Sequence, residues 1–252
     1  MYGLEPATAG IELVYDLPSR LAEALHAGRL DVALIPSVEV FRNPAYVVVS
    51  DACIAARGRV LSVRLLGRVP LRDVRTLALD EGSRTSVALA RLLLRERFGL
   101  EPALQPFPIG AGIDDTTADA VLVIGDRAIH PPGGGFVEDW DLGEEWQRWT
   151  GLPFVFAVWA AREDGVPPAV AAALSGSRDL GVANLAAIAA REASGVGLTR
   201  DACLAYLRDN LYFHLGPAER RGLDAFYRSA RRLGVVAGDW SGRFTAAPSG
   251  RL

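Results

Sequence analysis

Two short apolar runs of nearly the same text, Asp31-Val32-Ala33-Leu34-Ile35 and Asp119-Ala120-Val121-Leu122-Val123, constrain this chain's fold more than any other feature. Each is short and continuously apolar, the pattern of a buried parallel strand with both faces covered. Each also closes a larger pattern. Before the first run, Ile11-Glu12-Leu13-Val14-Tyr15 alternates as a short strand. Pro18 and Ser19 then open a helix with Leu21 and Leu25 on one face, and Gly28 sits where a left-handed terminal residue belongs. Before the second run, residues 75–80 read as a strand and residues 81–86 as a turn. Val87 to Phe98 reads as a helix stopped by Gly99. Two strand-helix-strand units in one chain predict two α/β lobes with a cleft between them. Chance similarity between two buried strands is the plainer alternative.

The segments between the units carry the chain across and back. Val60 to Leu66 alternates as a crossing strand, and Pro153 to Trp159 offers the return, with hinges expected near 65–70 and 155–160. Lobe 1 is then 1–66 with 160–237, and lobe 2 is 67–159. Beyond Pro167 the pattern is helical, over 169–174, 180–193, 199–210 and 218–233. The Gly/Ser/Pro-rich residues 238–252 read as a flexible tail. Mixed sheets with helices on both faces follow.

Composition excludes much chemistry. All 27 basic residues are arginines, so Schiff-base catalysis, pyridoxal-phosphate attachment and a Walker A lysine are ruled out. His26, His130 and His214 never fall at helical metal-ligand spacing, and Cys53 and Cys203 form no CxxC, so no metal is expected. A net charge of -3 and a pI near 5.7 give no case for nucleic acid. No apolar run is long enough to span a bilayer, and Met1 to Pro6 has neither the basic flank nor the apolar core of a secretory signal, so a cytoplasmic protein is expected.

The densest chemistry lies at Gly82-Ser83-Arg84-Thr85-Ser86, between a strand end and a helix start. Free N–H groups at a helix N-terminus and three hydroxyls make a donor-rich place for a carboxylate or phosphate, at the strand ends where open α/β sheets bind ligands. The simpler role for one such hydroxyl is a helix cap. The matching place in the first unit is Pro36-Ser37-Val38-Glu39. Ser37 there could donate across the cleft, and Glu39 could act as base, acceptor or solvated cap. Asp126, after the third strand of the second unit, would hold a hydroxyl or fix Arg84 or Arg127. Gly133-Gly134-Gly135 lacks a GxGxxG frame and reads as a mobile loop. Trp140, Trp146, Trp149 and Trp159 read as interlobe packing, with stacking on a ring-shaped ligand as the other option. No Ser-His-Asp, Cys-His or paired-carboxylate set emerges. A binding protein fits this pattern, and so does an enzyme whose substrate supplies much of the driving force.

Several segments together resemble the chorismate dehydratase family of the futalosine route to menaquinone. They are Leu34 to Glu39, Ile54 to Gly58, Ser62 to Leu65, Leu79 to Ser86, Ile124-Gly125-Asp126, and the run from Asp141 to Trp159. The resemblance implies a two-lobed, type 2 periplasmic-binding-protein-like α/β fold. It implies a cofactor-free hydro-lyase that converts chorismate to 3-[(1-carboxyvinyl)oxy]benzoate and water. Ser37, Val38, Ser83, Arg84, Thr85, Ser86 and Asp126 are the expected substrate-binding residues. Chorismate is the expected partner, and a homodimer is left open. The family's Tyr-Leu-Asn segment has no counterpart after Tyr2-Gly3-Leu4-Glu5, so no residue inherits its Asn and the catalytic group is unassigned. That departure implies either a shortened gene product or a diverged member that has lost activity, with lower stability in both cases.

Two other readings stand beside this one. The sister enzyme of the pathway, 1,4-dihydroxy-6-naphthoate synthase, would need a cleft histidine, for which His130 comes closest. A non-catalytic receptor for a small carboxylate would bind without turnover.

Overall fold

The computed structural model describes residues 11–131, 134–162, 166–240, 242 and 244. Helix α1 (Pro18–His26) starts on a proline that needs no N–H partner and ends just before Gly28, whose φ of 71° reverses the chain. It leads into β1 (Val32–Pro36), α2 (Ser37–Arg42) and the long β2 (Tyr46–Ala56). Next come β3 (Val63–Gly67), β4 (Thr76–Asp80), α3 (Arg84–Phe98), β5 (Ala103–Phe107), β6 (Ala120–Ile124), α4 (Asp126–Ile129), β7 (Glu138–Asp141), α5 (Leu142–Thr150) and β8 (Phe154–Arg162). The chain continues through α6 (Pro168–Ala183), α7 (Leu185–Glu192), α8 (Arg200–Ala205), a π-helical turn over Tyr206–Asn210, β9 (Tyr212–His214) and α9 (Pro217–Arg232).

The strands make two sheets, ordered β1-β8-β2-β9 and β5-β4-β6-β3-β7. In the second, β4 runs parallel to β5 and β6, with α3 crossing between, as the sequence pattern requires. The first sheet departs from expectation. Residues 11–16 form no strand, and Ile11, Val14 and Tyr15 are exposed. Alternation over five residues names a face but no partner, and β1 pairs with β8 instead, antiparallel, with Ile35 opposite Val158. The described part of the first unit is therefore helix then strand, and β1 is not a parallel strand. Antiparallel β2 flanks β8 on its other side.

Because β3 lies in the second sheet and β8 in the first, the chain changes sheet over 57–62 and 142–153, not at 65–70 and 155–160. Boundaries drawn at 66/67 and 159/160 would cut both strands. The helix expected to stop at 174 runs on to Ala183 through Gly176 and Gly181, since each glycine costs an exposed helix only about 1 kcal/mol.

The two sheets share one apolar core. Ile35 and Val158 of the first sheet, Leu65 and Leu122 of the second, and Leu89, Leu93, Trp146 and Phe226 from the helices belong to a single buried cluster. Trp146 is fully buried, with its ring 5.2 Å from Phe154 and 6.0 Å from Phe226, and its indole N–H donates to the Pro153 carbonyl at 3.1 Å. Gly222 of α9 packs so closely that a Cβ there would stand 2.1 Å from the same carbonyl oxygen.

Trp149 meets Trp146 edge-on, whereas Trp140 stacks on Phe98 at the surface of the second sheet. Within the expected tail, Trp240 is buried against Phe41 at 5.0 Å and Phe244 bridges to Val48. Ordered packing therefore reaches beyond 237. The rest of that tail, the first ten residues, and Gly133 of the triple-glycine loop lie outside the described residues. No described helix is long and apolar enough to cross a membrane.

Candidate functional site

Strands β4, β5 and β6 are parallel, so their carboxyl ends share one edge of the second sheet, joined there by the start of antiparallel β3. Every expected site residue of the second unit lies on this edge. At the end of β4, Asp80 is buried, and its carboxylate accepts from Gly82 N–H at 2.8 Å and pairs with Arg127. Burial raises its pKa, against the pull of Gly82 and Arg127. Arg127 also donates to the Pro108 and Ala111 carbonyls, at 3.3 and 3.0 Å. The strut thus ties the ends of β4 and β6 to the loop after β5 and fixes the turn that opens α3. Arg127 is held by Asp80 rather than by Asp126, for which the sequence left a hydroxyl, Arg84 or Arg127 as partners.

Ser83 caps α3. Its hydroxyl accepts from Ser86 N–H at 3.3 Å and donates to the Ser86 hydroxyl at 2.7 Å. The N–H groups of Arg84 and Thr85 precede the first intrahelical bond, from Val87 N–H to the Ser83 carbonyl, and the Thr85 side chain reaches the other lobe. There Ser37 and Val38 open α2 directly after β1. The Thr85 hydroxyl accepts from Val38 N–H at 3.3 Å and lies 3.5 Å from the Ser37 hydroxyl, which donates to the Val155 carbonyl at 2.7 Å. Ser37, Val38, Thr85 and Ser86 are all buried. Sequence reasoning placed these hydroxyls against a ligand; in the structure they bond one another and close the seam between lobes beside the helix terminus.

Arg84 spans the same seam. It pairs with Glu23 of α1 at 2.5 Å and with Glu39 of α2 at 3.4 Å. Glu39 also holds Arg42 at 2.8 Å, so it serves as an ion-pair partner, a role the sequence reading did not give it. Asp126 is brought to the same edge but stands apart from this group, exposed at the start of α4. The carboxyl end of β6 is shaped by Gly125, whose φ of 59° and ψ of -138° suit only glycine.

Residues missed in the sequence lie beside it. Gly125 N–H donates to the Ser62 carbonyl at 2.9 Å, and the Tyr206 hydroxyl donates to the Ser62 hydroxyl at 2.9 Å. Asp141 accepts from Val60 and Leu61 N–H groups in the crossing, at 3.0 and 2.7 Å, and caps α5 through Gly143 and Glu144. The first two have no strong sequence signal, because a π-helical turn and a crossing residue leave no period to read. Asp141 did have one, as an acid directly before a helix.

His130 follows α4, and its Nε2 lies 2.9 Å from the Val196 carbonyl, a further tie between lobes. Among the described residues, no group of His, Cys, Asp or Glu is arranged to hold a metal. An apolar cavity of about 290 Å³ lies elsewhere, between the first sheet and α6 and α7, lined by Leu34, Ile54, Trp159, Leu174 and Phe213 among others. It contains none of the expected site residues.

Two α/β lobes, crossed twice by the chain and meeting along strand ends, define the periplasmic-binding-protein fold. Solved structures agree. A protein of Archaeoglobus fulgidus superposes with a TM-score of 0.67 at 17% identity, covering 89% of this chain and 86% of its own. The periplasmic aliphatic sulphonate binding protein of Escherichia coli superposes at 0.59 and 16% identity, covering 94% and 83%. Within that fold, the chain belongs to the family described as menaquinone biosynthesis, whose model matches residues 1–232. The chorismate dehydratase of Thermus thermophilus is 34% identical over 245 residues, 90% of this chain and 88% of the relative.

Proposed function

We propose that this protein is a chorismate dehydratase, a hydro-lyase that forms 3-[(1-carboxyvinyl)oxy]benzoate and water in the futalosine route to menaquinone. The observation that carries the reading is the 34% identity to a chorismate dehydratase over nine-tenths of the chain. The site supports it on chemical grounds. One substrate carboxylate would take the N–H groups of Arg84 and Thr85 at the α3 terminus, with Ser83, Ser86, Ser37 and Val38 shaping the turn around it. A carboxylate held there leaves the ring over the edge that carries Asp126. Loss of the ring proton and departure of the ring hydroxyl give an aromatic product, so the barrier is lowered chiefly by orientation and by exclusion of water. The second substrate carboxylate would take the ring proton, which suits a site without a catalytic histidine or paired protein carboxylates. No cofactor enters this chemistry.

The lobes of this reading divide where the chain changes sheet, over 57–62 and 142–153. The unpaired, buried thiols of Cys53 and Cys203 support a reducing compartment, the cytoplasm, as the setting of this reading. A homodimer belongs to the same proposal. The reading that would use His130 has less support, because its Nε2 is engaged with the Val196 carbonyl.

Incubation with chorismate under ultraviolet and mass detection tests the proposal. Loss of one water, with an aromatic product, is expected. Chorismate bound but unchanged would sink the enzymatic reading and favour a receptor for small carboxylates.

A further inference from the structure

The crossing from β2 to β3 ends in a backbone that other elements hold from three sides. Leu61 has a φ of 64°, which a branched apolar side chain rarely adopts and which the surroundings must enforce. Asp141 grips its N–H, Asn210 of the π-helical turn donates to the Arg59 carbonyl at 2.9 Å, and Gly125 donates to the Ser62 carbonyl. The π-helical turn carries Tyr206, which donates to the Ser62 hydroxyl. Three unusual backbones, at Leu61, Gly125 and 206–210, therefore converge on one serine, Leu61 and Gly125 on its backbone and Tyr206 on its hydroxyl. A cluster of this kind is costly, and such features concentrate at functional sites.

The position of this serine is also specific. Val63 pairs with Ile124, so Ser62 lies level with Gly125, just beyond the carboxyl end of β6. The α3 turn follows β4, and β4, β6 and β3 are successive neighbours. Two strand spacings separate the turn from Ser62, about 10 Å. A six-membered ring with a carboxylate at one end and a hydroxyl across from it, plus a hydrogen bond of about 2.8 Å at each end, matches that span.

Resting on the dehydratase reading above, we infer that Ser62 contacts the ring hydroxyl that departs, and that Tyr206 is a positioning residue acting through it. The Tyr206 hydroxyl fills an acceptor position of the Ser62 oxygen, so the serine's own O–H is turned away from it as a donor. When the carbon–oxygen bond breaks, its electron pair leaves with the hydroxyl oxygen. Ser62 donates a hydrogen bond to the negative charge growing there, and the proton released from the ring completes the water. Burial raises the Tyr206 phenol pKa, against its bond to Ser62 and with help from Asp126, so it remains protonated as a donor.

Ser62→Ala and Tyr206→Phe test the inference, with kcat and KM for chorismate measured alongside the affinity for the product. The product lacks the departed hydroxyl, so its binding separates contact with that group from general damage to the cleft. Ser62→Ala should lower kcat about 100-fold and Tyr206→Phe about tenfold. Product affinity should stay within roughly twofold in both, and Ser62→Thr should recover most of the rate, because a hydroxyl is kept. Unchanged kcat in Ser62→Ala, or product affinity falling in parallel with kcat, would overturn the inference while leaving the dehydratase reading intact. If the unsubstituted protein consumes no chorismate, the dehydratase reading fails first and takes this inference with it.

Discussion

The two lobes meet along two seams of opposite character. On one side Trp146, Phe154 and Phe226 join the sheets through a dry aromatic cluster. On the other, at the strand ends, contact is made by Ser37 with Thr85, Arg84 with Glu23 and Glu39, and Tyr206 with Ser62. Apolar burial is non-directional and large, whereas each hydrogen bond or exposed ion pair nets little stability but fixes geometry. The contrast assigns the dry seam to holding the lobes together and the polar seam to setting the shape of the cleft. A single buried cluster draws residues from both sheets.

The strongest way to break this comparison is Trp146→Ala. Loss of a fully buried indole should cost about 3–5 kcal/mol in denaturant unfolding. A cost below about 1 kcal/mol would show that the aromatic cluster does not carry the junction. Next comes Asp141→Ala, which strands N–H groups in the crossing and removes the α5 cap. A loss of about 3 kcal/mol is expected, accompanied by impaired turnover because the backbone before Ser62 is freed. Full activity at lowered stability would separate the crossing from the site.

Arg84→Ala sharpens the other side. Its pairs are partly exposed, so the loss should stay under about 1 kcal/mol and fade at roughly 0.5 M salt. A large, salt-independent loss would mean that the polar seam, too, is structural. Asp119→Asn, remote from both seams, gives the smallest effect. The N–H of Arg75, followed by Thr76, holds Asp119 below its ordinary value of 3.8. A depressed carboxylate contributes stability above that value and loses it as pH falls through the folded-state pKa. The gap between the two proteins, about 0.5 kcal/mol at neutral pH, should therefore close on acidification below about pH 4. A gap that persists at low pH would assign it to packing.

What could be read from the sequence follows the range of the contacts. The unit β4-α3-β6 is legible because its pattern and stop are local, with Gly99 at the helix end where the text puts it, although the helix opens at Arg84 after the Ser83 cap rather than at Val87. The first sheet is not, because β8 reaches β1 and β2 from about a hundred residues away and no local period names that partner. The site divides in the same way. Ser83 to Ser86 and Ser37 announce themselves at strand ends, whereas their burial against one another depends on how the lobes meet. The partner of Arg127 is not legible because Asp80, more distant in sequence than Asp126, meets it in space.

The placement of β8 between β1 and β2 sets an order of events during synthesis. Residues 63–141, which hold every strand of the second sheet, emerge from the ribosome as one continuous stretch and can pair at once. Both β1 and β2 are already made by then, yet β1 lacks its described neighbour until residue 162 has been translated, and the far edge of β2 waits for β9, completed at residue 214. For that interval the nascent chain carries unmatched strand edges rich in valine and alanine, the kind of surface that chaperones cover.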